Sequence, residues 1–183
     1  MERSDEHLLE LALQGDGACF GELSQRWQNR IFRFICRYTG NAEEAKDLTQ
    51  DTFAKAYQNL QRLSDTSKFS SWLYTIALNE CRMRFRRLKA VTQVHFDDYL
   101  QSDRPVSGEP SPERALAGKE RAEILRGAFD DLPDEQRAAI VMKEYQGLKF
   151  HEIAEILDIP VSTAKSRVYL GLKTLRRLLE RRL

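Results

Sequence analysis

The sequence predicts an all-α protein built as two small helical domains. Apolar residues recur at three- and four-residue steps through several long segments, the spacing that places side chains on one side of a 3.6-residue helix. No sustained period-two alternation bounded by turn residues appears, which removes the strand signal. A single acidic, proline-punctuated stretch separates two groups of such segments. At 183 residues with 42% hydrophobic content, the chain can build a core in each of two small domains.

Ser4 is placed to cap a first helix whose opening turn holds Asp5 and Glu6, where the helix dipole favours anions; Leu8, Leu9, Leu11, Ala12 and Leu13 form its apolar side. The run Gln14-Gly15-Asp16-Gly17 closes it. A second helix is predicted from Ala18 to Tyr38, with Phe20, Leu23, Trp27, Ile31, Phe34 and Ile35 as its buried stripe, and Thr39-Gly40-Asn41 is the next break. Asn41 and Glu44 stand at the spacing of a capping box, so a third helix should run from Ala42 to about Gln61. The polar segment from Leu63 to Lys68 reads as a loop, and a fourth helix from about Ser70 to Lys89 is rich in aromatics early and arginine late.

From Val91 to about Pro112, the residues Pro105, Gly108, Pro110 and Pro112 exclude a long helix, and the stretch reads as an interdomain tether. This sets boundaries of 1–90, 91–112 and 113–183. Helices resume at about Pro112 to Asp130 and Pro133 to Gln146, with Pro133 suited to a first helical position and Gly147 to a C-terminal stop. No internal repeat of fixed period is present.

The stretch from Leu148 to Leu175 reads as a helix-turn-helix. Its first helix carries Phe150, Ile153, Ala154, Ile156 and Leu157, with Lys149 where a hydroxyl cap would be expected; Asp158-Ile159-Pro160 forms the corner. In its second helix Val161, Ala164, Val168, Leu172, Leu175 and Leu179 are expected to be buried. Ser162, Lys165, Ser166, Tyr169 and Lys173 fall on the opposite side, where hydroxyls, a ring and ammonium groups can meet base edges and phosphates. An ordinary helical hairpin with a solvated basic face would share this pattern.

The formal net charge of +1 excludes a polycation that coats nucleic acid indiscriminately. Position matters more than the sum. Arg82, Arg84, Arg86, Arg87 and Lys89 form one basic run, and Lys165, Arg167, Lys173, Arg176, Arg177, Arg181 and Arg182 form another. Between them Asp97, Asp98, Asp103, Glu109 and Glu113 stand against Arg104 alone. Cys19, Cys36 and Cys81 are odd in number and set among apolar helical positions, which favours reduced, buried thiols over a disulfide framework. With only His7, His95 and His151 besides, no metal-ligand spacing emerges, and no cofactor is implied. His95 with Asp97 and Asp98 is the one cluster suggestive of catalysis, but it lacks a partner nucleophile, so no enzyme is expected. The N-terminus lacks a signal-peptide core, no apolar run approaches the roughly 20 residues that cross a bilayer, and a cytoplasmic location without membrane insertion is expected.

Four stretches, in this order, set the chain apart from other helix-turn-helix proteins: Ala45 to Phe53 (AKDLTQDTF), Phe69 to Asn79 (FSSWLYTIALN), Leu132 to Arg137 (LPDEQR) and the motif from Phe150 to Tyr169. In these the chain resembles the extracytoplasmic-function (ECF) sigma factors, the two-domain promoter-recognition subunits of bacterial RNA polymerase, from about Leu8 to Leu179. The resemblance implies a four-helix sigma domain 2, a flexible linker and a four-helix sigma domain 4. It implies that Asp47, Gln50 and Asp51 dock on the clamp coiled-coil of core polymerase. Leu63, Ser64 and Asp65 would belong to the element that captures the melted non-template strand of the minus-ten region. Asn79 would contact an extruded base, and Arg82 and Arg86, with Arg84 and Arg87, would supply cations for its phosphates. Tyr74 could stack on bases, whereas core packing suits Trp72 better.

In domain 4 the resemblance places Ser162, Thr163, Lys165, Ser166 and Tyr169 on the duplex minus-thirty-five element, with Arg167 and Lys173 as phosphate contacts. The family commonly has Arg where this chain has Lys165, and lysine lacks the planar fork that recognises guanine, so the preferred sequence should differ. An anti-sigma protein is the further partner implied, and it could hold the chain at the inner membrane. The rival function is a stand-alone helix-turn-helix regulator, which predicts a palindromic operator and two-fold assembly.

Overall fold

The computed structural model describes residues 3–92 and 123–182, with side chains placed up to Arg87 in the first stretch. The described residues are helical and contain no strand. The chain divides into two compact units, each taken by itself below. The expected tether at 91–112, the helix start near Pro112 and the His95, Asp97, Asp98 cluster fall outside the described side chains.

The N-terminal unit consists of α1 (Asp5–Leu13), α2 (Gly17–Thr39), α3 (Ala42–Gln58) and α4 (Phe69–Thr92), with short 3-10 turns at Leu60–Arg62 and Thr66–Lys68 between the last two. Ser4 Oγ accepts from His7 N, and Asp16 caps α2 by accepting from Ala18 N and Cys19 N. Gly40 closes α2 at φ +70°, a left-handed conformation that glycine adopts without a Cβ penalty. The predicted stripe of α2 is buried throughout: Phe20, Leu23, Trp27, Ile31, Phe34 and Ile35, joined by Tyr38. Trp27 packs edge-on to Phe69, with centroids 5.7 Å apart, while its Nε1 donates to Asp5 Oδ2 at 2.8 Å and ties α1 to α2.

The capping box at α3 forms only in half. Asn41 Oδ1 accepts from Glu43 N and Glu44 N, but the Glu44 carboxylate accepts from Arg84 Nε at 3.0 Å instead of reaching back to its own helix start. A charged partner from α4 outcompetes the neutral backbone donor. The thiols Cys19 and Cys81 are buried, while Cys36 is only half-buried; none of the three is in a disulfide.

The C-terminal unit is carried by α5 (residues 123–130), α6 (Asp134–Ile140), α7 (Phe150–Leu157) and α8 (Val161–Glu180). Helix α6 does not simply end: it runs into a π turn at Val141–Tyr145, which Gly147 terminates at φ +68°. At the α7–α8 corner Ile159 N donates to Ala154 O and Asp158 N to Glu155 O, with Asp158 at φ +51°. That bond pair with a left-handed residue is the Schellman arrangement, here closed by aspartate rather than glycine. The cap missing at Lys149 is replaced by Glu152, whose Oε2 accepts from Lys149 N at 2.6 Å.

The buried face of α8 is rotated from the one predicted. Ala164, Val168, Gly171 and Leu175 form it, whereas Val161 is 42% and Leu172 37% exposed and Leu179 is half-buried. A Cβ placed on Gly171 would lie 2.8 Å from Ile140 Cδ1 and 3.1 Å from Gln136 Cβ. The bare glycine is what lets α6 cross α8 closely, and that crossing fixes the helix's rotation.

Candidate nucleic-acid interface

Helix α3 separates its residues as the alternation of polar and small apolar positions requires. Ala45, Leu48, Thr49, Thr52 and Ala56 are buried, and Asp47, Gln50 and Asp51 are exposed on the other side. A groove of about 340 Å³ runs between α3 and α4, lined by Asp47 and Asp51 on one wall and Met83, Arg84 and Arg87 on the other. At its floor the half-exposed Lys55 donates to the nearly buried Glu80 at 2.5 Å. Gln50 is not among the lining residues.

The basic run of α4 serves two faces. Asn79, Arg82 and Arg86 are three and four residues apart and share one side of the helix; Asn79 and Arg86 are exposed and Arg82 half-buried. Arg84 and Arg87 point to the α3 groove, and Arg84 is held by Glu44. Arg84 is thus set apart from Arg82 and Arg86 by a carboxylate partner, in an exposed ion pair of the kind worth little.

The loop before α4 also divides. Leu63 is 8% exposed and packs into the core, so it offers no side chain to a ligand, because an apolar residue among polar neighbours is the one drawn inward. Ser64 and Asp65 are exposed. Asp65 caps the 3-10 turn by accepting from Ser67 Oγ at 2.6 Å and Ser67 N at 3.0 Å, and these bonds hold its carboxyl below the usual carboxylate range. Tyr74 is likewise removed from the stacking candidates: it is 1% exposed, with its ring edge-on to Phe34 at 5.3 Å. Trp72 is half-buried against Phe69, as its apolar neighbours suggested.

In the helix-turn-helix, Ser162, Lys165, Ser166, Tyr169 and Lys173 are exposed on α8, and Thr163 is half-buried. Tyr169 shows 63% of its surface. Arg167 stands apart from them, turned against α6 with its guanidinium 2.7 Å from Glu135, so its charge is largely spent inside the unit. The apolar spacing places Phe150 on the inner side of α7 and gives Lys143 no role, yet both lie beside Lys165 and Tyr169. Lys143 Nζ lies 4.7 Å and Lys165 Nζ 5.8 Å from the centre of the Phe150 ring, and the Tyr169 ring is 6.2 Å away. The π turn that presents Lys143 has no periodicity signature, so no count of apolar spacing could have found it. Among the described residues no cluster of histidine, cysteine and carboxylate side chains could hold a metal ion. None of their helices is long and apolar enough to cross a membrane.

Two all-helical units, one with a mixed-charge groove and a polar loop, the other a helix-turn-helix with an exposed polar face, make up the fold that two family models match. The first unit matches the family model for sigma-70 region 2 over residues 23–91, and the second matches that for sigma-70 region 4 over residues 122–175. The chain is 32% identical to the ECF RNA polymerase sigma factor SigW of Bacillus subtilis, covering 98% of both chains. It is 31% identical to the RNA polymerase sigma-H factor of Pseudomonas aeruginosa, over 92% of this chain and 90% of that one. The chain therefore belongs to the ECF sigma factor family, a family of transcription initiation factors.

Solved structures agree on the fold. CnrH, in complex with the cytosolic domain of CnrY, superposes with a TM-score of 0.67 at 24% identity, covering 96% of this chain and 97% of that one. The sigma factor RpoE of Bartonella quintana, in complex with the anti-sigma factor NepR, gives 0.66 at 23% identity over 87% and 97%.

Proposed function

We propose that this protein acts as a dissociable promoter-recognition subunit that binds bacterial core RNA polymerase and opens DNA without catalysing a reaction of its own. Asp47, Gln50 and Asp51 on the outer side of α3 dock on the polymerase. Ser64, Asp65, Asn79, Arg82 and Arg86 meet the melted non-template strand of the minus-ten region: the Asn79 amide pairs donor and acceptor with an extruded base, and the arginines neutralise phosphates. On α8, Ser162, Thr163, Lys165, Ser166 and Tyr169 read the duplex minus-thirty-five element, with Lys173 on a phosphate.

The exposed polar face of α8 carries this assignment. In a helix whose other side is fixed by the Gly171 crossing, Ser162, Lys165, Ser166 and Tyr169 are exposed, and that exposure supports the reading. Opening DNA is driven by binding energy: unstacking costs a few kcal/mol per step and is offset by base capture and phosphate contacts. A cytoplasmic location follows from the polymerase as partner. An anti-sigma protein, as in the complex of RpoE with NepR, is the inhibitor that would control the chain.

Reconstituted transcription on a promoter library tests the assignment. Asn79→Ala should lose strand opening while retaining duplex binding, and Lys165→Ala should change the preferred upstream sequence. If both variants initiate as the unaltered protein does, the residue assignment fails.

A further inference from the structure

We infer that Phe150 is a positioning residue for reading the upstream promoter element: its ring fixes the direction of Lys165 and Tyr169 and so sets which base pair they discriminate, without itself touching a base. This rests on the function proposed above and deepens it. Lys165 and Tyr169 are one helical turn apart on α8, and both meet the same half-buried ring from α7. A lysine on an exposed helix face ordinarily samples many rotamers, each lost on binding. Here the ring's negative face attracts the ammonium and narrows that set before DNA arrives.

The second cation at the ring decides how firmly Lys165 is held. Lys143 Nζ is the closer ammonium, at 4.7 Å, and it also donates to Leu148 O at 3.3 Å, a carbonyl just past the Gly147 stop. Lys165 Nζ, at 5.8 Å, shares the ring with that charge and is repelled by it. Lys143 is thus anchored and Lys165 more loosely directed, so that its ammonium can keep the ring on one side while it meets an acceptor on a base edge with the other.

The test is selection of bound sequences from a DNA library randomised at the upstream element, with core polymerase carrying the unaltered protein or a variant. Phe150→Leu should reduce the preference at the base pair facing Lys165 by roughly two- to five-fold, the scale of an exposed cation–π contact. Replacing Phe150 by pentafluorophenylalanine, which keeps the shape and reverses the ring's charge distribution, should do the same and serves if the leucine variant misfolds. Phe150→Tyr should retain the preference. On a Lys165→Ala background Phe150→Leu should add nothing at that base pair. Variants that weaken binding to all sequences alike, or change nothing, overturn the inference while leaving the proposed function standing. An unaltered holoenzyme with no upstream preference removes both.

Discussion

Replacing Gly171 by alanine should destabilise the C-terminal unit, although alanine is the better helix former. A mid-helix Gly→Ala change ordinarily gains up to about 1 kcal/mol. Here the new methyl would stand 2.8 Å from Ile140 Cδ1, 3.2 Å from Ile140 Cγ1 and 3.1 Å from Gln136 Cβ. Ile140 is 1% exposed, so its terminal carbon has little room to retreat, and Gln136 Cβ can move only with the α6 backbone. Overpacking of this kind costs about 1–3 kcal/mol, which outweighs the propensity gain and leaves a net loss of about 1 kcal/mol. Hydrogen exchange resolved by segment should show faster exchange in α6 and α8. The double variant Ile140→Val with Gly171→Ala should recover part of the loss, because removing Cδ1 removes the nearest clash. A Gly171→Ala protein more stable than its parent would show that α8 does not cross α6 at this residue, and the rotation assigned to the helix would be wrong.

Three further outcomes follow from local geometry. Asp158→Gly should stabilise the helix-turn-helix by about 0.5–1 kcal/mol, because glycine takes the left-handed corner without a Cβ penalty; an unchanged or lower melting temperature would contradict this. Lys55→Met should cost about 2 kcal/mol by leaving the Glu80 carboxylate without its cation, and a loss under about 0.5 kcal/mol in urea unfolding would show the pair to be idle. Asp16 and Asp65 both have lowered pKa values, Asp16 chiefly through the bond from the Cys19 thiol and Asp65 through the Ser67 hydroxyl. Their stabilisation should therefore be complete above the ordinary carboxylate value of about 4 and be lost as pH falls through the lower folded values. Asp16→Asn with Asp65→Asn should flatten that acid limb of the stability curve, and an unaltered limb would assign it to other carboxylates.

Much of the N-terminal unit was legible because its signals are redundant. The α2 stripe combines helical spacing, aromatic bulk and caps at both ends, and every residue predicted to be buried in it is buried. Where one local signal stood alone, a distant partner could override it. Glu44 satisfied the capping-box spacing, but Arg84 lies forty positions away in sequence and took its carboxylate. Tyr74 was weighed as a surface ring because tyrosine suits both environments; only the placement of Phe34 decided between them.

On α8 the apolar count pointed to Val161 and Leu172. The residue that orients the helix is a glycine, which carries no hydrophobic signal and acts through absent volume. The polar face survived this error because it lies far enough round the helix to stay exposed under either rotation. The Lys143–Phe150 contact depends on a π turn, which adds a residue to the helical repeat and so moves Lys143 off any face a 3.6 period would assign.

As a sigma factor, this chain should confer promoter choice on a polymerase that lacks it. Purified core RNA polymerase, supplied with the protein and a library of random promoters, tests that directly. The expected result is stable association with the core enzyme and transcripts that start downstream of a defined pair of spaced elements. A protein that fails to bind core polymerase, or that directs initiation no better than buffer, would contradict it.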